Sequence, residues 1–335
     1  MNTVANLLVP FTDTDLERRI RRRLEEVEAR MASVVASDND FVTEAARHLI
    51  EAGGKRFRPL LVLLGAEFGD PEADGIVTAA AVVELTHLAT LYHDDVMDDA
   101  PLRRGAPSAN ARWSNTVAIL TGDYLFARAS DIMTELSREI VRIQARTFAR
   151  LVEGQLRETQ GPAPGEDPLE HYLDVLADKT GSLIATSARF GAKLSGADDE
   201  IEQIVTEFGE RIGVAFQLSD DVLDVASETA QSGKTPGTDL REGIHTLPVL
   251  LATRTEGRSR PEDERLRELV SGPLEDDDAH AEALALLRAH PALTEARKVV
   301  QQWADDARAV LAGLPDIPAR AALTALCDIV VTRTG

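Results

Sequence analysis

Residues 76–99, IVTAAAVVELTHLATLYHDDVMDD, run without a glycine or proline and carry apolar side chains on nearly every side. A helix of that kind has no face to offer water, so it belongs in the middle of a large bundle. The rest of the chain agrees. Ala, Leu, Glu and Arg dominate, aromatic residues make up only 4%, and no period-two alternation marks a strand. The expectation is an all-α fold, a single large helical bundle around a central apolar cavity. A chain of 335 residues, 44% of them hydrophobic, has ample material for such a core. No linker separates two composition regimes, so residues 1–335 read as one domain. A charged helix at 13–37 and C-terminal helices across 280–332 join the same bundle.

The same segment ends in concentrated acid: Asp94, Asp95, Asp98 and Asp99, followed at once by Arg103 and Arg104. Residues four apart on a helix share a face, so Asp94 pairs with Asp98 and Asp95 with Asp99. Like charges repel there, and the macrodipole at a helix C-terminus disfavours them further. The pattern occurs twice, because LATLYHDDVMD (88–98) is echoed by VAFQLSDDVLD (214–224), which places Asp220, Asp221 and Asp224 alike. Two greasy helices that each end in DDxxD call for a positive partner. All-oxygen donors suit a hard cation, and Mg²⁺ is held by one or two carboxylates together with substrate phosphates.

Cations adjoin both clusters. GGKRFRP (53–59) sets Lys55, Arg56 and Arg58 beside two glycines, a backbone that lets an anion approach. Lys179-Thr180 lies near a helix junction, and Lys234 in the Gly- and Thr-rich stretch 226–243. Basic residues next to metal-type clusters in an otherwise acidic chain suggest a diphosphate between Mg²⁺ and Arg/Lys. The net charge of −21 argues against nucleic acid or an anionic membrane surface as partner. The single cysteine, Cys327, excludes an internal disulfide and a multi-cysteine zinc site, and a reducing cytoplasm is the expected location. No basic leader and no run of eighteen apolar residues is present, so neither signal peptide nor membrane span is expected.

GGKRFRP, HDDVMDDAPLRRG, GDYLFARA, KTGSL, FQLSDDVLD and GKTPGTDL stand in the order found in trans-polyprenyl diphosphate synthases, and between about residues 45 and 250 the chain resembles that family. The resemblance implies Mg²⁺-dependent condensation of isopentenyl diphosphate with an allylic diphosphate by a homodimer. Three Mg²⁺ ions would be bound with the allylic diphosphate by Asp94, Asp98 and Asp220, supported by Asp95, Asp221 and Asp224. Lys55, Arg58, His87 and Arg104 match the pocket for isopentenyl diphosphate. Arg103, Lys179 and Lys234 match contacts to the allylic diphosphate, and Thr180 and Gln217 match residues beside the nascent carbocation. His87 lies seven residues, two turns, before Asp94 and so on its face. One departure is Ile244, which stands where a lysine is expected; Arg241 and His245 are the nearby substitutes.

Product length is argued from the same helix. A tail running back from Asp94 meets Thr90 and Ala89, about 6 to 7.5 Å along the axis. The resemblance implies that an aromatic there stops the tail early. Small residues predict a long-chain product, the precursor of a quinone side chain, with geranylgeranyl or farnesyl diphosphate as the alternative product. Other readings fall away. A terpene cyclase has no use for GGKRFRP, and a non-catalytic partner subunit would lack aspartates from one motif. An HD-type phosphohydrolase would need further histidines near His93. Gly233-Lys234-Thr235 has Glu228 where a P-loop requires glycine.

Overall fold

The computed structural model describes residues 9–227, 236–254 and 261–333. In chain order the first elements are α1 (Thr14–Val34), α2 (Asp40–Glu51), α3 (Phe57–Ala66), α4 (Ile76–Met97), the short strands β1 (Leu102–Arg103) and β2 (Ala106–Pro107), α5 (Ala109–Arg112), α6 (Asn115–Met133) and α7 (Arg138–Gln160). Then come α8 (Pro168–Leu176), α9 (Ser182–Ser195), α10 (Asp199–Ala226), α11 (Thr238–Glu242), α12 (Leu247–Thr253), α13 (Pro261–Leu269), α14 (Asp277–Ala289), α15 (Pro291–Val310) and α16 (Pro318–Thr332). The fold is all-α, as expected. Side-chain caps start many of these helices: Asp13 accepts from the Leu16 amide, Asn39 from Phe41 and Val42, Ser114 from Val117, and Asp167 from Leu169 just ahead of Pro168.

The chain forms two compact units. The first takes the chain up to Ala149, Leu183–Gly209 and Leu311–Leu326. Its centre is α4, which packs against α1, α3 and α6. Ile76, Ala79, Ala80, Ala81, Val82, Val83, Leu85, Leu88, Ala89 and Tyr92 are all buried, which is the burial on every side that the sequence requires. By length and composition α4 could also cross a bilayer, but 67% of its most apolar window is buried inside the protein. Tyr92 pins α2 to it, its hydroxyl donating to the Ala45 carbonyl (2.6 Å) and accepting from the Leu49 amide (3.2 Å).

The second unit takes Arg150–Ser182, Glu210–Val310 and the chain from Cys327. Within it α12 packs against α8, α13, α14 and α15. Cys327 is a buried free thiol.

The structure adds two local features that apolar periodicity did not predict. Arg104 (φ 55°) and Gly105 (φ 77°) are the two central residues of a hairpin that pairs Leu102 with Pro107 and Arg103 with Ala106. Two positive φ values make it the tight, right-twisting turn usually signalled by Asn-Gly. Between α8 and α9 the helix widens into a π turn over Ala177–Gly181, where the sequence predicted an ordinary helix junction.

Candidate active site

In the first unit, the 53–59 loop, α4 and the hairpin supply a group of cations. Arg56 takes a left-handed conformation (φ 47°) at the start of α3, which costs about 1 kcal/mol for a residue with a side chain. The compensation is a buried network. Its guanidinium donates to Glu28 of α1, to Glu84 of α4 (3.0 Å) and to the Ile50 carbonyl (2.8 Å). Glu84 is 2% exposed. Arg56, which the sequence reading set beside Lys55 and Arg58 as one of three loop cations, is therefore internal: it braces the loop that carries the other two.

Lys55 is exposed and Arg58 half-buried, with a buried Nε that has no hydrogen-bond partner. Burial pulls the Arg58 pKa down to about 10; Glu84 opposes the shift and Arg104 adds to it. Arg104 crosses back to this loop and donates Nη1 to the Leu49 carbonyl (3.0 Å) and to the Gly53 carbonyl. Its guanidinium lies so close to Gly54 (φ 143°) that a Cβ there would sit 2.7 Å from Cζ. Glycine is required at 54 by both the backbone angle and the space. Half-buried His87 faces the same cations. Burial and the guanidiniums of Arg58, Arg104, Arg103 and Arg56 hold its imidazole well below its usual range, so it is neutral at pH 7. Glu28 and Glu84 neutralise Arg56 and Asp95 neutralises Arg103, which leaves Arg58 and Arg104 beside His87 as the cations a diphosphate would meet.

The first aspartate motif divides by orientation. Asp94 is half-buried and Asp98 exposed, whereas Asp95 is fully buried. Asp95 accepts from Arg103 Nε at 2.6 Å, and its Oδ2 has no hydrogen-bond partner. Burial raises its pKa despite Arg103. Arg103 and Arg104, consecutive at the start of the hairpin turn, therefore diverge, one towards Asp95 and one towards the Gly53 loop. Ala89 is fully buried and Thr90 half-buried, its hydroxyl donating to the His87 carbonyl at 2.8 Å. α6 approaches α4 at this turn through Gly122, where a Cβ would lie 3.1 Å from the Ala89 carbonyl.

The second unit carries the rest. Lys179 and half-buried Thr180 sit on the π turn, a widening often associated with functional sites. Lys179 donates to Glu158 (2.6 Å), and Arg150 binds Asp178 (2.6 Å) and Glu210 (2.5 Å). At the end of α10 the three aspartates have three different environments. Asp220 pairs with Arg333 at 2.5 Å, whose guanidinium lies 4.7 Å from the centre of the Phe216 ring. Asp221 is buried, accepting from Tyr172 Oη and from Gln217 Nε2 (3.1 Å). Burial, with Asp220 and Asp224 nearby, pushes its pKa up to about 7 against those two donors. Asp224 caps α11, accepting from the amides of Thr238 and Asp239, each at 3.2 Å. Gln217 is thus bonded to a carboxylate of the motif. Lys234 lies outside the described residues.

Neither substitute for the lysine expected at 244 is disengaged. Arg241 binds Asp277 (2.6 Å) and the Glu275 carbonyl (3.1 Å), and His245 meets the Val270 carbonyl at 2.7 Å. A cavity of about 500 Å³ beside His245, lined also by Asp167, Leu250 and Arg254, contains none of the predicted site residues.

The donors in both motifs are all carboxylate oxygens, the chemistry a hard divalent cation requires. Among the described residues no three His, Cys, Asp or Glu side chains gather into a ready-made cage. The sequence reading did not single out Arg56, Glu84, Tyr172 or Arg333. Arg56 stood in a quoted motif, but the other three have no local signal, since their partners lie far along the chain.

The family model described as Polyprenyl synthetase matches residues 39–287. A nonaprenyl diphosphate synthase of Mycobacterium tuberculosis is 49% identical, with 100% of each chain covered. The solved structure of a geranylgeranyl pyrophosphate synthase from Corynebacterium glutamicum, complexed with calcium and isoprenyl diphosphate, superposes with a TM-score of 0.86 at 45% identity, covering 98% of this chain and 100% of that one. A decaprenyl diphosphate synthase from Rhodobacter capsulatus gives 0.86 at 34% identity, covering 96% and 99%.

Proposed function

The chain belongs to the polyprenyl synthetase family, and from that premise we propose how its residues divide the work of a long-chain trans-prenyltransferase. Isopentenyl diphosphate binds in the first unit, where Lys55, Arg58, Arg104 and neutral His87 hold its diphosphate. The observation that carries this reading is the convergence of Arg58 and Arg104 on His87 and the glycine loop, with Arg56 and Arg103 tied to carboxylates of their own. Asp94, Asp98 and Asp220 hold the divalent ions, proposed to be three Mg²⁺, and with Arg103, Lys179 and Lys234 they grip the allylic diphosphate. When bound, the ions supply Lewis-acid neutralisation of the leaving diphosphate.

The residues' own contribution is electrostatic and positional. Arg and Lys side chains fix both diphosphates, so that the double bond of isopentenyl diphosphate lies beside C1 of the allylic partner. Thr180 and Gln217 present oxygen dipoles to the carbocation, and apolar walls exclude water that would quench it. The allylic C–O bond breaks first, the double bond of isopentenyl diphosphate then attacks the cation to form the new C–C bond, and the released diphosphate accepts the proton lost from the adduct. Ala89 and Thr90 let the tail pass along α4, which supports a product beyond farnesyl length, as does the name of the nonaprenyl relative. Serving one reaction, the two units act as a single functional domain, working as a homodimer in the cytoplasm.

Purified chain is incubated with isopentenyl diphosphate, Mg²⁺ and allylic primers of five to twenty carbons, and the products are sized. A ladder ending in a long all-trans polyprenyl diphosphate is expected. No elongation with any primer overturns the reading in favour of a chain that depends on a partner subunit.

A further inference from the structure

Tyr172 carries no role in the scheme above, yet its position in the second unit gives it one. It lies on α8, which runs directly into the π turn bearing Lys179 and Thr180. Its hydroxyl donates to Asp221 Oδ2 on α10, and Gln217 Nε2 donates to Oδ1 of the same carboxylate at 3.1 Å. Asp221 is only 4% exposed, whereas the Asp220 side chain is 40% exposed. We propose that Tyr172 is a positioning residue: it ties the lysine-bearing turn to the second aspartate motif through Asp221, which serves as a joint rather than as a metal ligand.

The physical reason is the environment of the carboxylate. Both of its oxygens already accept hydrogen bonds inside the protein, from donors on two different helices. Those two bonds fix the orientation of a carboxylate that is itself buried, so turning it towards an ion would break them, which is unfavourable. Asp220, the preceding residue on α10, is the more exposed of the two and pairs with Arg333, a partner that a cation can replace. One hydrogen bond from Tyr172 therefore sets the spacing between Asp220 and Lys179, two groups that the proposed function assigns to the same diphosphate. Outer-shell groups around a metal site typically change its affinity by 10- to 100-fold on removal, and Tyr172 acts as one through Asp221.

The inference rests on the prenyltransferase reading, and its test separates the two. Binding of Mn²⁺ in the presence of inorganic pyrophosphate is followed by electron paramagnetic resonance, without turnover, for the wild type, Tyr172→Phe, Asp221→Asn and the double variant. Tyr172→Phe is expected to weaken Mn²⁺ binding about tenfold and to lower kcat, with KM for isopentenyl diphosphate unchanged. The effects of Tyr172→Phe and Asp221→Asn are expected to overlap rather than add, because both break one link. Should Tyr172→Phe not fold, Asp221→Asn alone must give the same selective loss, a weakening of Mn²⁺ binding that stops short of abolition. Unchanged Mn²⁺ affinity in Tyr172→Phe, or abolition of binding in Asp221→Asn alone, overturns the proposal. A wild-type chain that binds no Mn²⁺ with pyrophosphate overturns the functional reading along with it.

Discussion

Single side chains decide both tail length and anion affinity. At Ala89 a phenylalanine would project from the turn of α4 that precedes Asp94, so Ala89→Phe is expected to shorten the product by several isoprene units. Sizing the prenyl alcohols after phosphatase treatment checks this, and an unchanged distribution assigns the floor to another helix. Gly122 opposite the Ala89 carbonyl shows that this turn also packs closely, so thermal melting of the variant belongs beside the sizing. His87 carries a pH dependence. Its folded pKa is depressed by burial and by Arg58, Arg104, Arg103 and Arg56, while the unfolded imidazole titrates near 6.5. Above that value both states are neutral and the group contributes nothing to the slope. As pH falls below it, only the unfolded chain takes the proton, and stability drops by about 1.4 kcal/mol per unit until the folded pKa is reached. Urea unfolding between pH 7 and 5 should therefore show His87→Gln losing less stability than the wild type; parallel curves count against the assignment.

At the scale of elements, the site stands on helices bound together by buried charge. Arg56 joins α1, the α2 carbonyl end and α4 from the position just before α3. Removing it strands Glu84, so Arg56→Met is expected to destabilise the protein by about 3–5 kcal/mol, and Arg56→Met with Glu84→Gln by clearly less. Chemical denaturation of both variants measures the difference. The hairpin and the π turn act at this scale too. Neither is encoded by apolar periodicity: Arg104-Gly105 lacks the usual Asn-Gly signal, and a π turn differs from an α turn by a single extra residue. Helix α4, by contrast, was readable to within two residues, because an apolar surface on every side permits only burial.

For the molecule as a whole, a net charge of −21 means that the cations at the site are local exceptions in an acidic protein. The described helices pack through buried apolar side chains, so the divalent metal is expected to serve chemistry and not folding. Chelation should abolish elongation while leaving the circular dichroism spectrum and melting temperature nearly unchanged, and Mg²⁺ should restore activity. A large fall in melting temperature on chelation would assign the metal a structural role.

The sequence alone determined the all-helical fold, the reaction class and the paired carboxylates, because each is written in short-range patterns: apolar periodicity, i,i+4 spacing and a run of motifs in order. It did not determine which of several adjacent charges meets the ligand. Lys55, Arg56 and Arg58 read alike on the page, as do Asp220, Asp221 and Asp224. Their roles separate only where Glu28 and Glu84 draw Arg56 inward and Tyr172 captures Asp221. Those partners stand 28 to 49 residues away. Only packing brings such groups together, and a buried charge goes where its partner is.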